Sequence, residues 1–365
     1  MIKVLADRDI PYLDEVFESS KDYQLAKLSF DEITSNALKD VDALLSRSAT
    51  PLNGKLLEGT KVKFIGSLTS GEDHINFNEI DNLEIEVNSA KGCNAQAVTE
   101  YILDALAASK EKRLGIIGEG FVGSKLRKVL EAYDYEIKIY DPYLHEHDEK
   151  TLNDVLSFPI ISVNSSYSKE GKFPSHNLIS SLNPKQLLIN TSRGEIVDYI
   201  SINNLSKVRL ICDVWNNEPS LDKEDIKNTF RATPHIAGNT FEAKINALNI
   251  ISKKLDSFFE KKDLNKLVIK TKVLEINSKN ILKSLDDNLL PFELIDIFSP
   301  CNKVSSAFKK TIKEVKTDIN FAEEFQKIRK SFERKGFGEY ALSVSKIKPL
   351  QQEQLSLLGF EIHRE

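Results

Sequence analysis

A chain of 365 residues is too long for one ordinary core and has room for two or three domains of ~150 residues each. Its make-up, 41% hydrophobic and 29% charged with 15 Gly and 11 Pro, excludes a linker-rich or fibrous chain. With 50 basic against 55 acidic residues the net charge is −5, which calls for neither nucleic acid nor an anionic membrane as partner.

The opening MIKVLADRD meets acid at Asp7 before an apolar run of signal-peptide length develops. No later stretch approaches the ~20 apolar residues of a membrane span. The three cysteines, Cys93, Cys212 and Cys301, lie far apart, which excludes a disulfide scaffold or a zinc ribbon. A protein of the reducing cytoplasm is expected.

In chain order, Ile2–Leu5, Ala43–Leu45 and Val62–Gly66 read as buried strands of a parallel sheet. Residues Asn94 to Arg113 read as one long helix, with Val98, Ile102, Ala105 and Leu106 at helical spacing. A second αβ series follows, with strands over Leu114–Ile117, Glu136–Tyr140, Ile160–Val163, Leu187–Asn190 and Arg209–Val214. After Pro234 an amphipathic helix is marked by Phe241, Ile245, Leu248, Ile251, Leu255 and Phe258. It is long enough to leave the second domain and pack back on the first. The last ~80 residues read as an independent small α+β unit. In it Phe321, Phe325, Ile328 and Phe332 share one stripe of a basic helix whose charged face reads as solvated.

Gly118-Glu119-Gly120-Phe121-Val122-Gly123 is a G-x-G-x-x-G turn between the strand LGII and the helix FVGSKLRKVLEAY. Asp141 ends the next strand, 18 residues after Gly123. Strand, turn, helix, strand and acid in this order form a dinucleotide-binding fingerprint. Glycines let a pyrophosphate approach the backbone, and the N–H groups of Phe121 and Val122 stand at a positive helix terminus. Asp141 would accept from the ribose hydroxyls and repel a 2′-phosphate, which favours NAD over NADP. Glu119 places a carboxylate inside the loop, tolerable only with its side chain directed away from the phosphates.

Three further islands each follow or end a strand: INTSRG (189–194), DVWNNEP (213–219) and TPHIAG (233–238). Alone, His235 would read as a satisfied structural histidine, and Arg193 or Glu218 as a surface charge. Behind a dinucleotide fold, in this order, the three suffice for a hydroxyacid dehydrogenase. Arg193 can clamp a carboxylate through two parallel hydrogen bonds. His235 can take the hydroxyl proton, and Glu218 can hold the ring and raise its basicity. No metal is expected: His145-x-His147 lacks placeable further ligands, and His74 merely follows a Gly-Glu-Asp turn.

On these residues the chain resembles the D-isomer-specific 2-hydroxyacid dehydrogenases. The likeness runs through KVLADRDIPYLDEVF, SRSAT (46–50), FIGSLTSGEDHIN (64–76), SAKGCNAQAVTEY (89–101), GIIGEGFVG (115–123), INTSRGEIVD (189–198), CDVWNNEP (212–219) and TPHIAGNTFEAK (233–244). The GCNA segment and the tail with EFQKIRKSFERK and LLGF are similar to the branch acting on a 4-phosphorylated four-carbon acid in vitamin B6 synthesis. The resemblance implies an α/β fold of two doubly wound parallel-sheet domains, a Rossmann NAD domain (94–234) inserted in a flavodoxin-like substrate domain (1–93 and 235–284). It also implies a small C-terminal α+β dimerisation domain (285–365), and hence a homodimer. Arg193, Glu218 and His235 become the catalytic set, and Ser48 and Thr69 match substrate positions. Asp141, Ser165, Thr191, Asp213 and Gly238 match cofactor positions beside Gly118, Gly120, Phe121, Val122 and Gly123. Asn239 stands where the family usually has a substrate-touching Tyr. A sibling dehydrogenase for 3-phosphoglycerate or another 2-hydroxy acid, and a non-catalytic NAD-sensing protein, stay open as alternatives.

Overall fold

The computed structural model describes residues 1–144, 149–166, 182–183, 185–196, 208–276, 278–299, 301–314, 318–332, 334–344 and 347–363. The chain forms two compact units, Met1–Asn94 with Glu242–Lys270, and Ala95–Phe241 with Thr271–Glu365.

The first unit holds β1 (Ile2–Asp7), β2 (Tyr23–Leu28), β3 (Ala43–Ser46), β4 (Phe64–Ser67) and β5 (Glu86–Ser89). They form one parallel sheet in the order β2-β1-β3-β4-β5. All four residues of β3 and of β4 are buried, because the central strands are covered on both faces. Alternate residues separate two cores. Val4, Ala6, Leu45 and Phe64 pack with Ala247, Leu248, Ile251 and Leu255 of the helix Phe241–Phe258. On the other face Leu5, Leu44 and Ile65 pack with Leu38, Leu57 and Ile80.

The second unit opens with a helix over Ala95–Leu106, shorter than the sequence reading of 94–113. The apolar stripe ends at Leu106. Ala107, Ala108 and Ser109 close the end with bonds to carbonyls three residues back, and Arg113 already begins a strand. The strands are β6 (Arg113–Ile117), β7 (Glu136–Tyr140), β8 (Ile160–Val163), β9 (Leu187–Asn190), β10 (Arg209–Cys212) and β11 (Arg231–Ala232). Among the described residues they pair in parallel in the order β11-β10-β9-β8-β6-β7. The order reverses between β6 and β8, and ligands of such sheets bind at the carboxyl ends near that reversal.

A separate small sheet, β12 (Lys272–Glu275), β13 (Tyr340–Ser343) and β14 (Glu361–His363), is also parallel. The tail around it does not close a core of its own. Ile281, Leu294, Phe298, Leu355 and Phe360 share a core with Tyr101, Leu126 and Ile189. Phe308, Phe321, Phe325 and Ile328 share another with Ile161, Leu188 and Trp215. Contacts thus group residues 285–365, and also 271–284, with 95–241, where the sequence reading separates 285–365 and joins 235–284 to the first unit. The physical reason is that the Phe321–Ile328 stripe is too small a core alone and shares one with residues of the six-stranded sheet and of the segments around Trp215.

Candidate active site

The glycine loop is built for close approach. Gly118 has φ +92°, and a Cβ there would lie 2.7 Å from the Ser165 nitrogen, so no other residue fits. A Cβ on Gly123 would lie 2.0 Å from the Gly118 carbonyl oxygen, which keeps the first turn of the helix Phe121–Glu131 tight on the loop. The opposite holds at Gly120, the N-cap: a Cβ there would meet nothing within 4 Å, and no side chain caps the turn opened by Phe121 and Val122. That leaves a helix N-terminus suited to an anion.

The Glu119 carboxylate is directed to Arg127, with 2.8 Å between Oε1 and Nε, so its charge is paired. Asp141 is buried at the end of β7 and accepts the main-chain N–H of Glu119 (2.8 Å), Tyr143 (3.0 Å) and Leu144 (3.2 Å). It therefore fixes the loop's shape as well as carrying charge there.

Ser165 follows β8 and Thr191 follows β9. Ser165 Oγ and Thr191 Oγ1 are buried without a hydrogen-bond partner among the described residues. Two such hydroxyls, one following β8 where Ser165 packs on Gly118 and one following β9, fit a dinucleotide laid along the carboxyl edge of the sheet.

The catalytic candidates come from neighbouring loops. Trp215 N–H donates to Glu218 Oε1 (2.8 Å), and Glu218 Oε2 lies 2.7 Å from His235 Nδ1. Burial alone would push the Glu218 carboxyl up. The charge and hydrogen bond of His235, the Trp215 N–H and the charge of Arg329 outweigh it and hold the carboxyl below its ordinary value. An ionised Glu218 only accepts, so Nδ1 carries a proton toward it in either state of the ring, and the neutral form has its lone pair on Nε2. The His235 side chain stays 36% exposed, against 19% for Glu218, so the ring's outer edge is reachable.

Asp213, 1% exposed, shapes this loop. Its carboxylate accepts Thr233 Oγ1 (2.6 Å) and the N–H of Ile236 and Ala237 (2.8 Å each), and its carbonyl accepts His235 N–H (2.7 Å). His235 itself sits at φ +54°, a left-handed conformation that the surroundings must impose. Gly238 accepts Thr240 N–H (3.3 Å) as the loop turns into the next helix.

Arg193 follows β9 and donates from Nη1 to the Ser192 carbonyl (2.8 Å). Asn190 Nδ2 holds the Arg193 carbonyl (2.8 Å). Gly194 lets this loop pack on the His–Glu loops: a Cβ there would lie 2.0 Å from the Trp215 carbonyl carbon. Asn239 directs its amide to the Phe332 carbonyl (3.0 Å), so here it ties the loop to the tail.

In the first unit, Ser48 is exposed on the turn after β3. Thr69 belongs to a hydroxyl chain that sequence reasoning did not find. Thr69 donates to the Gly71 carbonyl (2.9 Å), so Ser67 Oγ donates to Thr69 (2.7 Å) and accepts from His74 Nε2 (3.0 Å). Burial holds the His74 imidazole below its ordinary value against the pull of the Asp73 and Glu72 charges. Among the described residues no His, Cys, Asp and Glu group is arranged to hold a metal, and no helix is long and apolar enough to cross a membrane. His145 and His147 lie outside the described residues.

Residues 1–269 match the family described as D-isomer specific 2-hydroxyacid dehydrogenase, catalytic domain. The chain belongs to that family. Erythronate-4-phosphate dehydrogenase of Hahella chejuensis is 36% identical over 277 residues, covering 70% of this chain and 72% of that protein. The protein of the same name from Legionella pneumophila is 36% identical over 270 residues, covering 70% and 77%. Among solved structures, NAD⁺-bound 3-phosphoglycerate dehydrogenase of Entamoeba histolytica superposes with TM-score 0.60 at 24% identity, over 73% of this chain and 99% of its own. D-lactate dehydrogenase of Aquifex aeolicus, complexed with NAD and lactic acid, gives TM-score 0.58 at 20% identity, over 71% and 95%. At these identities the two structures speak to the fold alone. As a member of the 2-hydroxyacid dehydrogenase family the chain is an oxidoreductase, with the parallel α/β architecture read from its sequence.

Proposed function

We propose that the chain oxidises 4-phospho-D-erythronate to (R)-3-hydroxy-2-oxo-4-phosphooxybutanoate with NAD, in the cytoplasm, as a step of pyridoxal 5′-phosphate synthesis. The observation that carries the chemistry is the 2.7 Å pair between His235 Nδ1 and Glu218, on a histidine whose side chain stays 36% exposed. The names and identities of the relatives support the substrate.

NAD when bound supplies the hydride acceptor. The loop Gly118–Gly123 and the hydroxyls of Ser165 and Thr191 would hold it, with Asp141, Asp213 and Gly238 setting the loops around it. His235 Nε2 accepts the hydroxyl proton, and Glu218 stabilises the imidazolium that forms. Arg193 clamps the substrate carboxylate, and Ser48 and Thr69 match substrate positions of the family. The tail makes a homodimer, tested by sedimentation of the full chain. Truncation after residue 285 is a poor test, because it would uncover apolar residues that share a core with Ile281 and Leu285.

A panel of 4-phosphoerythronate, erythronate, 3-phosphoglycerate and glycerate, followed at the NADH absorbance, tests the substrate. Losing two charge-assisted bonds to the phosphate should leave erythronate at least ~10²-fold poorer in kcat/KM. Faster oxidation of 3-phosphoglycerate would replace this reading with that of a sibling dehydrogenase. Asn239, an amide held by the tail instead of an aromatic wall, is the observation that favours the sibling. Any turnover removes a purely NAD-sensing role.

A further inference from the structure

Residues 237–240, just beyond His235, are gripped from the far end of the chain. The main-chain N–H of Arg334 donates to the Asn239 carbonyl (2.9 Å), and Thr240 and Arg334 form an isolated parallel bridge. The Arg334 side chain, 5% exposed, sends Nη1 to the carbonyls of Ala237 (2.5 Å) and Ala97 (2.7 Å) and Nη2 to Ser299 Oγ (3.0 Å). Nη2 also lies 3.9 Å from Glu100 Oε2.

Ala237 is therefore held on both sides, its N–H by Asp213 and its carbonyl by Arg334. Two residues earlier stands His235 in its left-handed conformation, uncommon for a residue with a side chain and stable only where the surroundings hold it. Asp213 fixes the loop from β10, and Arg334 fixes it against the helix Ala95–Leu106.

We propose that Arg334 is a positioning residue for His235, so that the tail completes the active site of its own chain. The inference rests on the reading of His235 as the acid–base group. It does not require Arg334 to touch substrate or cofactor.

Full-length Arg334→Met, Arg334→Lys and Ser299→Ala proteins test it. One readout is the proton–nitrogen correlation spectrum of the histidine rings without cofactor, which reports whether His235 keeps its Nδ1–H form. The others are melting temperature, kcat and KM with NAD and 4-phosphoerythronate. Arg334→Met should cut kcat by roughly 10²-fold through a displaced ring, with KM for NAD changed by less than about twofold. Its His235 signal should become a mixture of tautomers. Arg334→Lys should restore little, because one ammonium cannot span two carbonyls and a hydroxyl. Ser299→Ala, which removes a single partner, should lower kcat by about threefold.

A folded Arg334→Met protein with wild-type kcat and His235 signal, and only a lower melting temperature, overturns the proposal. If that variant does not fold, unchanged kcat and His235 signals in both Arg334→Lys and Ser299→Ala overturn it. An unmodified protein that turns over none of the panel defeats the acid–base reading instead, while the ring spectrum still tests the clamp.

Discussion

The loops around His235 and the ends of β8 and β9 use similar polar residues yet are finished in opposite ways. Asp213 and Glu218 between them accept hydrogen bonds from Thr233, Ile236, Ala237, Trp215 and His235. Ser165 and Thr191, by contrast, bury hydroxyl oxygens that find no partner among the described residues. Leaving such a group unpaired costs ~1–3 kcal/mol, a cost that a ligand can relieve. The carboxylates of the first region have their partners in the protein, although Asn216 Oδ1 in the same loop is unpartnered among the described residues, while the two hydroxyls of the second leave room for a ligand group. On the proposed function, the difference separates the groups assigned to chemistry from those assigned to the cofactor.

The largest effect should come from breaking the organised side. His235→Asn should lower kcat by ~10²–10⁴-fold while NAD affinity, measured by calorimetry, stays near wild type. Parallel losses in both would mean that the two regions are not separable. Glu218→Gln should follow closely, at ~10²–10³-fold, because an amide no longer enforces one ring tautomer. It also has a pH signature. The Glu218 carboxyl is held below its ordinary value in the folded protein, so its stabilisation is present above the unfolded value and lost as pH falls through the folded one. The melting-temperature gap between wild type and Glu218→Gln should therefore close on acidification. A gap that widens toward acid contradicts the ion pair.

What could be read from the sequence follows the same division. Strands β7, β8 and β9 were legible to the residue, β8 and β9 as short, mainly apolar runs that are fully buried. Strand β2 was not, because it is an edge strand whose exposure leaves YQLAKL looking like a polar loop. Strand β11 has only two residues and no pattern to show. The pairing of Glu218 with His235 was legible because it lies between two side chains whose types alone suggest it. Trp215 escaped because it acts through its main-chain N–H. Arg334 escaped because its partners lie between 35 and 237 residues away in sequence. His74 escaped because only the fold brings it back to Ser67.

A middle-sized effect should appear on the receptive side, with opposite signs in two measurements. Thr191→Val and Ser165→Ala remove buried oxygens that have no partner among the described residues, so the protein without cofactor should melt higher. Each should also weaken NAD binding by roughly 5–10-fold, the worth of one hydrogen bond. The stabilisation conferred by NAD in a melting experiment would shrink accordingly. A lower melting temperature with unchanged affinity would show that these hydroxyls belong to the fold and not to the ligand.

The smallest effect concerns the carboxylate within the glycine loop. Glu119 would repel a pyrophosphate, and the 2.8 Å contact with Arg127 is what offsets its charge. The Arg127 side chain is 44% exposed and that of Glu119 only 9%, so solvent screens the pair from one side. Such a pair contributes up to about 1 kcal/mol, and Arg127→Ala should weaken NAD binding by about 2–5-fold. The cause can be isolated in two ways. Raising the salt concentration should shrink the defect, since it screens the released charge. Adding Glu119→Gln to Arg127→Ala should restore affinity, because the double variant has no stray carboxylate to neutralise. A double variant that binds as poorly as Arg127→Ala alone would instead assign Arg127 to the phosphate itself. That result would move one cation from the supporting structure of the loop to the surface that meets the cofactor.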